Sequence, residues 1–187
     1  MAWLDDNRGL LGLRKQAFEV IDAELRRYKA PHIVETGGLR EFGNVLGDGN
    51  STMFFDAIAK DTAGRVVSID IDRQCADNVA KHCSSRTTAI TDNSLIALPR
   101  LWNMTVNCLY LDSFDVNFAD DEPAARHALH EYLIARKMLS RDALVCVDDN
   151  NDEGRGKGRL VAILADLMRW ECLHNGYVKV WRTNGYL

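Results

Sequence analysis

Acidic side chains close short apolar runs at five places in this chain: Glu35, Asp70, Asp92, Asp112 and the pair Asp148-Asp149, which Asn150 follows. Carboxylates gathered at one end of a fold can grip ribose hydroxyls, balance a cationic ligand or hold a hard metal ion. The densest chemistry lies between His32 and Asp72. Glu35 is followed by Gly37 and Gly38, and a second glycine pair, Gly47 and Gly49, leads into Asn50-Ser51-Thr52. The run Val66–Ile69 then ends in Asp70 and Asp72. Apolar run, glycine turn, polar helix start and acid-tipped apolar run is the order in which a chain holds an adenosine-containing cofactor. Backbone approaches the ligand at the glycines, and the acid meets the ribose.

The same residues narrow the cofactor. No Gly-Lys-Ser/Thr follows the glycines, so they do not form a phosphate-cradling loop, and the spacing Gly-x-Gly-x-x-Gly is not met. Glu35 would repel a pyrophosphate. It suits a cationic ligand instead, and S-adenosylmethionine carries both a sulfonium and an ammonium. Further along, Asp112 and Asp149-Asn150 close what read as neighbouring strands, spaced about 4.8 Å apart when paired. Their oxygen donors suit magnesium, manganese or calcium. A cation there would stabilise an oxyanion and lower the pKa of a hydroxyl. Asp70 and Asp72 could equally cap the helix that starts at Arg73. His127 and His130 stand at i, i+3 on one helix face, an ordinary polar placement as much as a catalytic one.

These residues need elements to place them. Apolar spacing predicts a helix over 7–29, carrying Leu10, Leu11, Leu13, Phe18, Ile21 and Leu25 and stopped by Pro31. Strands are predicted over 33–36, 66–71, 87–91, 106–111 and 143–147, with helices over 51–60, 73–83, 94–101, 123–138 and 159–169. Asn175-Gly176, between two short apolar runs, signals a hairpin. The alternation predicts an α/β fold: a Rossmann-like doubly wound, mostly parallel seven-stranded sheet with a C-terminal antiparallel hairpin strand and helices on both faces. Ligands of such sheets sit beyond the carboxyl ends of the strands, where the acids fall. Residues 1–30 are expected as an amino-terminal helix packed on a domain formed by 31–187, a single domain overall. Trp3 and Leu4 could pack on the sheet or take part in a homodimer contact.

The 187 residues are 47% hydrophobic and 27% charged, the balance of an ordered globular chain. A net charge of −4 argues against nucleic acid as a partner. No apolar run reaches the roughly 18 residues that span a membrane, and the start lacks the basic-then-apolar pattern of a leader, so a cytoplasmic location is expected. Five scattered cysteines without a Cys-x-x-Cys pair read as reduced packing residues.

The segments Val34-Glu35-Thr36-Gly37, Gly49-Asn50-Ser51-Thr52, Gly64 to Asp72, Asp92 to Leu95, Leu109 to Ser113 and Val147 to Asn150 arrive in a telling order. Together they resemble class I S-adenosylmethionine-dependent methyltransferases, and among them the small catechol-type and macrocin-type O-methyltransferases, over roughly residues 32–182. The resemblance implies cofactor contacts at Glu35, Gly37, Gly49, Asn50, Ser51, Thr52, Asp70, Asp72, Asn93, Ser94 and Asp112. Glu35 and Gly37 would hold the methionine end, Ser51 and Thr52 its carboxylate, Asp70 the ribose, and Asn93 and Ser94 the adenine. It also implies a divalent cation, magnesium by preference, on Asp112, Asp149 and Asn150, with Asp148 as third ligand in the macrocin-type pattern. Asp112 and Asp115 would be catalytic, Asp115 standing where catechol-type enzymes carry a lysine.

This chain departs from the family's compact glycine loop by the insertion Leu39 to Leu46, which is expected to bring Arg40 or Phe42 over the cofactor or substrate. The glycine-rich loop Asp152 to Arg159 offers Arg155, Lys157 and Arg159 to a phosphate or carboxylate. The implied reaction is methyl transfer to a hydroxyl of a small molecule, a sugar or natural product. A nucleic-acid methyltransferase and a non-catalytic S-adenosylmethionine-binding module are the alternatives. Absence of an Asn/Asp-Pro-Pro-Tyr/Phe motif argues against methylation of a base amino group.

Overall fold

Buried apolar strands with helical connections dictate a layered architecture, and a computed structural model describes it over residues 2–45 and 50–185. Gly47 and Gly49 lie outside the described residues. The strands are β1 (His32–Thr36), β2 (Arg65–Asp70), β3 (Thr87–Thr91), β4 (Val106–Leu111), β5 (Leu139–Val147), β6 (Glu171–Asn175) and β7 (Lys179–Arg182). They form one sheet in the order β3-β2-β1-β4-β5-β7-β6. The first five run parallel, and β7 pairs antiparallel with both β5 and β6. This is the expected mostly parallel α/β sheet with its closing hairpin. The strand order reverses between β1 and β4, so the crevice for a ligand opens above the end of β1.

The helices are α1 (Ala2–Asn7), α2 (Lys15–Leu25), α3 (Asn50–Thr62), α4 (Arg73–His82), α5 (Ser94–Ala97), α6 (Glu122–Ala135) and α7 (Arg159–Leu167). Alternate strand residues face opposite layers. Ile33, Val66, Cys108, Tyr110, Leu144 and Cys146 pack with Phe18, Ile21, Leu25, Phe54 and Phe55 from α2 and α3. On the other face Val34, Ile69, Leu109, Val145 and Val147 pack with Ala97, Ala128, Tyr132, Val161 and Ala165 from α5, α6 and α7. None of the described helices is long and apolar enough to cross a membrane.

Two expectations about elements change. The single helix expected over 7–29 is two: α1 ends at Asn7, and α2 begins at Lys15 after a short 3-10 turn. Gly9 and Gly12 weaken helix continuation, and Gly12 takes φ +52, a left-handed value that keeps the chain from running as one helix into α2. Leu10 and Leu13 consequently stand out of the apolar stripe, Leu13 being 74% exposed, whereas Leu4 and Leu11 are buried. Trp3 lies against Phe54, its ring centroid 5.8 Å away. The strand expected over 143–147 starts earlier, at Leu139, which pairs with Val106 before a bulge resets the register. Cys75, Cys108 and Cys146 are buried, and all five thiols are free.

Candidate functional site

A cleft of about 550 Å³ opens beyond the strand ends. Asp70 and Ile71 form one wall with Asn93, Ser94 and Leu95, while Ser113, Phe114, Asp115 and His127 form the other. Gly37 and Arg40 lie between them. Gly37 has φ +85, and a Cβ there would come within 2.6 Å of the Asp112 carbonyl, so only glycine lets β1 turn off beside β4. Gly38 N–H donates to Asp70 Oδ2 at 2.7 Å and Asp72 N–H to Oδ1 at 2.8 Å, fixing the Asp70 carboxylate at the cleft wall. Each of its oxygens keeps a second lone pair for a ligand. Asp72 is different: it is exposed, does not line the cleft, and caps α4 through Gln74 N–H at 2.9 Å. Asn93 also caps a helix, accepting from Leu95 N–H at 2.9 Å, but does so at the cleft. His127 Nε2 stands 3.2 Å from Ser94 Oγ and 3.3 Å from Glu131 Oε1.

Glu35 is expected at a ligand and is found inside the fold. It pairs in register with Ser68 on β2 and Tyr110 on β4, on the face covered by α3. The amino-terminal turn of α3 therefore sits over it. Thr52 Oγ1 donates to Glu35 Oε2 at 2.6 Å, Ser68 Oγ to the same oxygen at 2.9 Å, and Ser51 Oγ to Oε1. Asn50 is buried too, its amide donating to the Asn44 carbonyl. Glu35 is 0% exposed. Burial pushes its carboxyl up to about 8, against the three hydroxyls that favour the charged form. The side chains of Glu35, Ser51 and Thr52 thus bind one another. What they leave for a ligand is the backbone that they position.

The second set of acids forms at the ends of β4 and β5. Oxygens of Asp112, Asp148 and Asp149 lie within 4.8 Å of one another. Consecutive strand residues normally point to opposite faces, but Asp149 has φ +55, and this left-handed turn brings Asp148 and Asp149 to one place. Asn150 does not join them. Its amide donates to the carbonyls of Val147, Asp148 and Tyr177, and its Oδ1 accepts from Gly158 N–H at 2.8 Å. That correction has a physical reason: every polar atom of the Asn150 side chain is engaged in tying the loop to β5. Asp148 is the third acid.

Lysine and arginine serve this cluster. Asn150 bridges to Gly156 across the loop, Asn151 N–H bonds the Arg155 carbonyl at 3.0 Å, and Gly156 N–H bonds Asp121 Oδ2 at 2.7 Å. The loop so folded turns Lys157 inward until it is 2% exposed. Its Nζ is 2.7 Å from Asp112 Oδ1 and 2.7 Å from Asp149 Oδ2, and donates to the Asp112 carbonyl at 3.0 Å. Arg14 Nε donates to Asp148 Oδ2 at 2.7 Å, which also accepts from Tyr110 Oη at 2.6 Å. Tyr177 Oη donates to Asp149 Oδ1 at 2.5 Å. Burial and the neighbouring Asp148 charge raise Asp112 to about 7 despite Lys157. Burial, the largest influence, would raise Asp149, but Lys157, the Tyr177 hydroxyl and Arg14 together outweigh it and hold that carboxyl below its usual range. The three acids have the hard donors that a divalent cation prefers, yet an ammonium already stands between two of them and a guanidinium on the third. The expected magnesium does not fit the cluster as the chain builds it.

The remaining expected site residues fall outside the cleft or change role. Asp115 lines the cleft but is 86% exposed and pairs with Arg40 at 3.0 Å. Phe42 stacks on His82, the centroids 3.8 Å apart, away from the cleft lining. Arg155 is exposed and donates to the Phe118 carbonyl, and Arg159 pairs with Asp121 and Glu122. Neither Arg14 nor Tyr177 was marked by any local signal, because their partners lie far along the chain.

The model of a family described as a methyltransferase domain matches residues 45–150, more than half of the chain. No curated protein matches it. Among solved structures, the MycE methyltransferase of the mycinamycin pathway, in complex with Mg, S-adenosylhomocysteine and mycinamycin VI, superposes with TM-score 0.65 at 14% identity. It covers 98% of this chain and 54% of its own, so the present chain spans about half the length of MycE. The O-methyltransferase NovP superposes with TM-score 0.65 at 12% identity, covering 91% of this chain and 80% of NovP. Likeness at such identity speaks for the fold, and the matched residues speak for the family. With its switch-point cleft and the methyltransferase-domain match, the chain belongs to the class I S-adenosylmethionine-dependent methyltransferases.

Proposed function

We propose that this protein transfers the methyl group of S-adenosylmethionine to a hydroxyl of a small molecule. The observation that carries the reading is the fixed Asp70 carboxylate at the cleft wall, with Gly37 beside it and Asn93-Ser94 across from it. In this reading Asp70 accepts the ribose hydroxyls, Asn93 and Ser94 flank the adenine, and the turn at Gly37 lets backbone approach the methionine portion. S-adenosylmethionine, when bound, supplies an electrophilic methyl on sulfur. In this reading Asp112, next in sequence to Ser113 of the cleft wall, takes the acceptor's proton as the acceptor oxygen attacks the methyl and S-adenosylhomocysteine leaves. No step is assigned to a metal ion.

Acids at the cleft, Asp70, Asp92 and Asp115, favour a neutral or cationic small acceptor over a polyphosphate. The O-methyltransferase NovP among the structural neighbours supports oxygen as the accepting atom. Calorimetry with S-adenosylhomocysteine tests the proposal. The wild type should bind, and Asp70→Ala should weaken binding by about tenfold to a hundredfold, the loss of a charge-assisted pair of hydrogen bonds. Equal affinity in the variant would remove the ribose assignment. No binding of either S-adenosylmethionine or S-adenosylhomocysteine by the wild type would remove the function.

A further inference from the structure

Lys157 occupies a position with few chemical purposes. Its side chain is 2% exposed, its ammonium sits 2.7 Å from carboxylates beyond the ends of two different strands, and a loop with its own hydrogen-bond framework delivers it there. A solvated lysine reaching a surface acid needs none of this. Three carboxylates within 4.8 Å cannot all stay ionised without cations among them. Oxygen donors grouped in this way can recruit that charge from a divalent metal. Here the chain carries it covalently: Lys157 between Asp112 and Asp149, and Arg14 on Asp148.

We propose that Lys157 is a resident cation, standing between Asp112 and Asp149 where a divalent metal would bridge them, so that the wild-type chain takes up no divalent ion at these acids. Lys157 is a positioning residue in this role. It holds the tips of β4 and β5 together and sets the orientation of the Asp112 carboxylate, next in sequence to Ser113 of the cleft wall. A divalent ion could enter only by displacing an ammonium that both acids hold. Arg14, 2.7 Å from Asp148 and 3.4 Å from Asp149, adds a second repulsion. The inference uses charge and distance and does not rest on methyl transfer.

Manganese is the probe, because its electron paramagnetic resonance signal is lost on binding and no turnover is needed. The full chain, stripped with a chelator, is titrated with Mn²⁺. The wild type should show no stoichiometric site. Lys157→Met should gain one Mn²⁺ per chain, tighter than the wild type by about tenfold or more. Adding Asp149→Asn to that variant should abolish the gain. A wild type that binds one Mn²⁺ and loses it on Asp149→Asn overturns the proposal, as does a folded Lys157→Met that binds none. If Lys157→Met fails to fold, the wild-type titration with its Asp149→Asn control decides alone. Titration with S-adenosylhomocysteine in parallel keeps this outcome separate from that of the methyltransferase reading.

Discussion

Two sets of carboxylates, one buried and the other buried at Asp148 and half-buried at Asp112 and Asp149, lie at the ends of adjacent strands, and the chain accommodates them by opposite means. At the end of β1, Glu35 meets three hydroxyls, from Ser51, Thr52 and Ser68. At the ends of β4 and β5, Asp112, Asp148 and Asp149 meet Lys157, Arg14 and two tyrosine hydroxyls. A single carboxyl can shed its charge by keeping a proton, and hydroxyls serve either form. Three clustered carboxyls would have to keep three protons, so fixed cations are the cheaper solution. Both sets should answer to pH, since Asp112 is raised to about 7, but only the second should answer to removal of a fixed cation.

The largest effect is expected at Lys157. Lys157→Met leaves Asp112 and Asp149 facing each other without their shared ammonium, and breaking a buried pair in this way costs about 3–5 kcal/mol. Denaturant unfolding measures it. Adding Asp112→Asn, which removes one of the repelling charges, should recover part of the loss. A cost below about 1 kcal/mol would mean that the cluster is hydrated and that the contrast with Glu35 is false.

Glu35 should give the next largest effect, as a slope against pH. Its folded value of about 8 lies above the ordinary 4.5. Between those values the folded chain keeps a proton that the unfolded chain has released, so stability falls as pH rises. The contribution is fully present below the unfolded value and is lost through about pH 8. Glu35→Gln removes the titration. From pH 6 to pH 9 the wild type should therefore lose about 3 kcal/mol more than the variant, read from urea unfolding at the two pH values. Parallel pH profiles would place a permanent charge on Glu35.

The contrast also explains what the sequence could reveal. The strands over 66–71 and 106–111 were readable because a buried parallel strand is a mostly apolar run, broken here by Ser68, Asp70 and Asn107, and Asn175-Gly176 announced the hairpin between β6 and β7. Asp70, Asn93 and Ser94 follow such runs directly, so their place at the cleft came with the strands. Glu35 has the same local signature, yet its side chain faces α3. Its fate depended on which layer the register gave it. Lys157 looked like one cation of a solvated glycine-rich loop, and only the Asn150–Gly156 bridge turns it inward. Arg14 reaches Asp148 across 134 positions, a distance that no spacing rule spans. Local pattern thus recovered the cleft wall, while the neutralisation of the acids is a property of tertiary structure.

Gly37 joins the two sets, since β1 turns there against the Asp112 carbonyl. Gly37→Ala would place a methyl within 2.6 Å of that oxygen on a backbone at φ +85. The strain and the forced shift should cost about 2 kcal/mol. Because the displaced group is the backbone of Asp112, S-adenosylhomocysteine binding should weaken together with stability. A neutral Gly37→Ala would show that the ends of β1 and β4 are not rigidly coupled.

The smallest effect tests whether burial is what separates ion pairs in this molecule. Arg40 and Asp115 approach to 3.0 Å, much as Lys157 approaches Asp112, but Arg40 is 44% and Asp115 86% exposed. Water and salt screen such a pair, and two long side chains must be ordered to hold it, so a double-mutant cycle on Arg40→Ala and Asp115→Ala should give about 0.2–1 kcal/mol. The coupling should fade at high ionic strength, where the Debye length falls to about 3 Å in 1 M salt. The Lys157–Asp112 coupling, shielded from solvent, should persist under the same conditions. If the two couplings prove equal and equally sensitive to salt, burial does not govern the Lys157 cluster, and the acids at the ends of β4 and β5 are as open to exchangeable ions as the surface is.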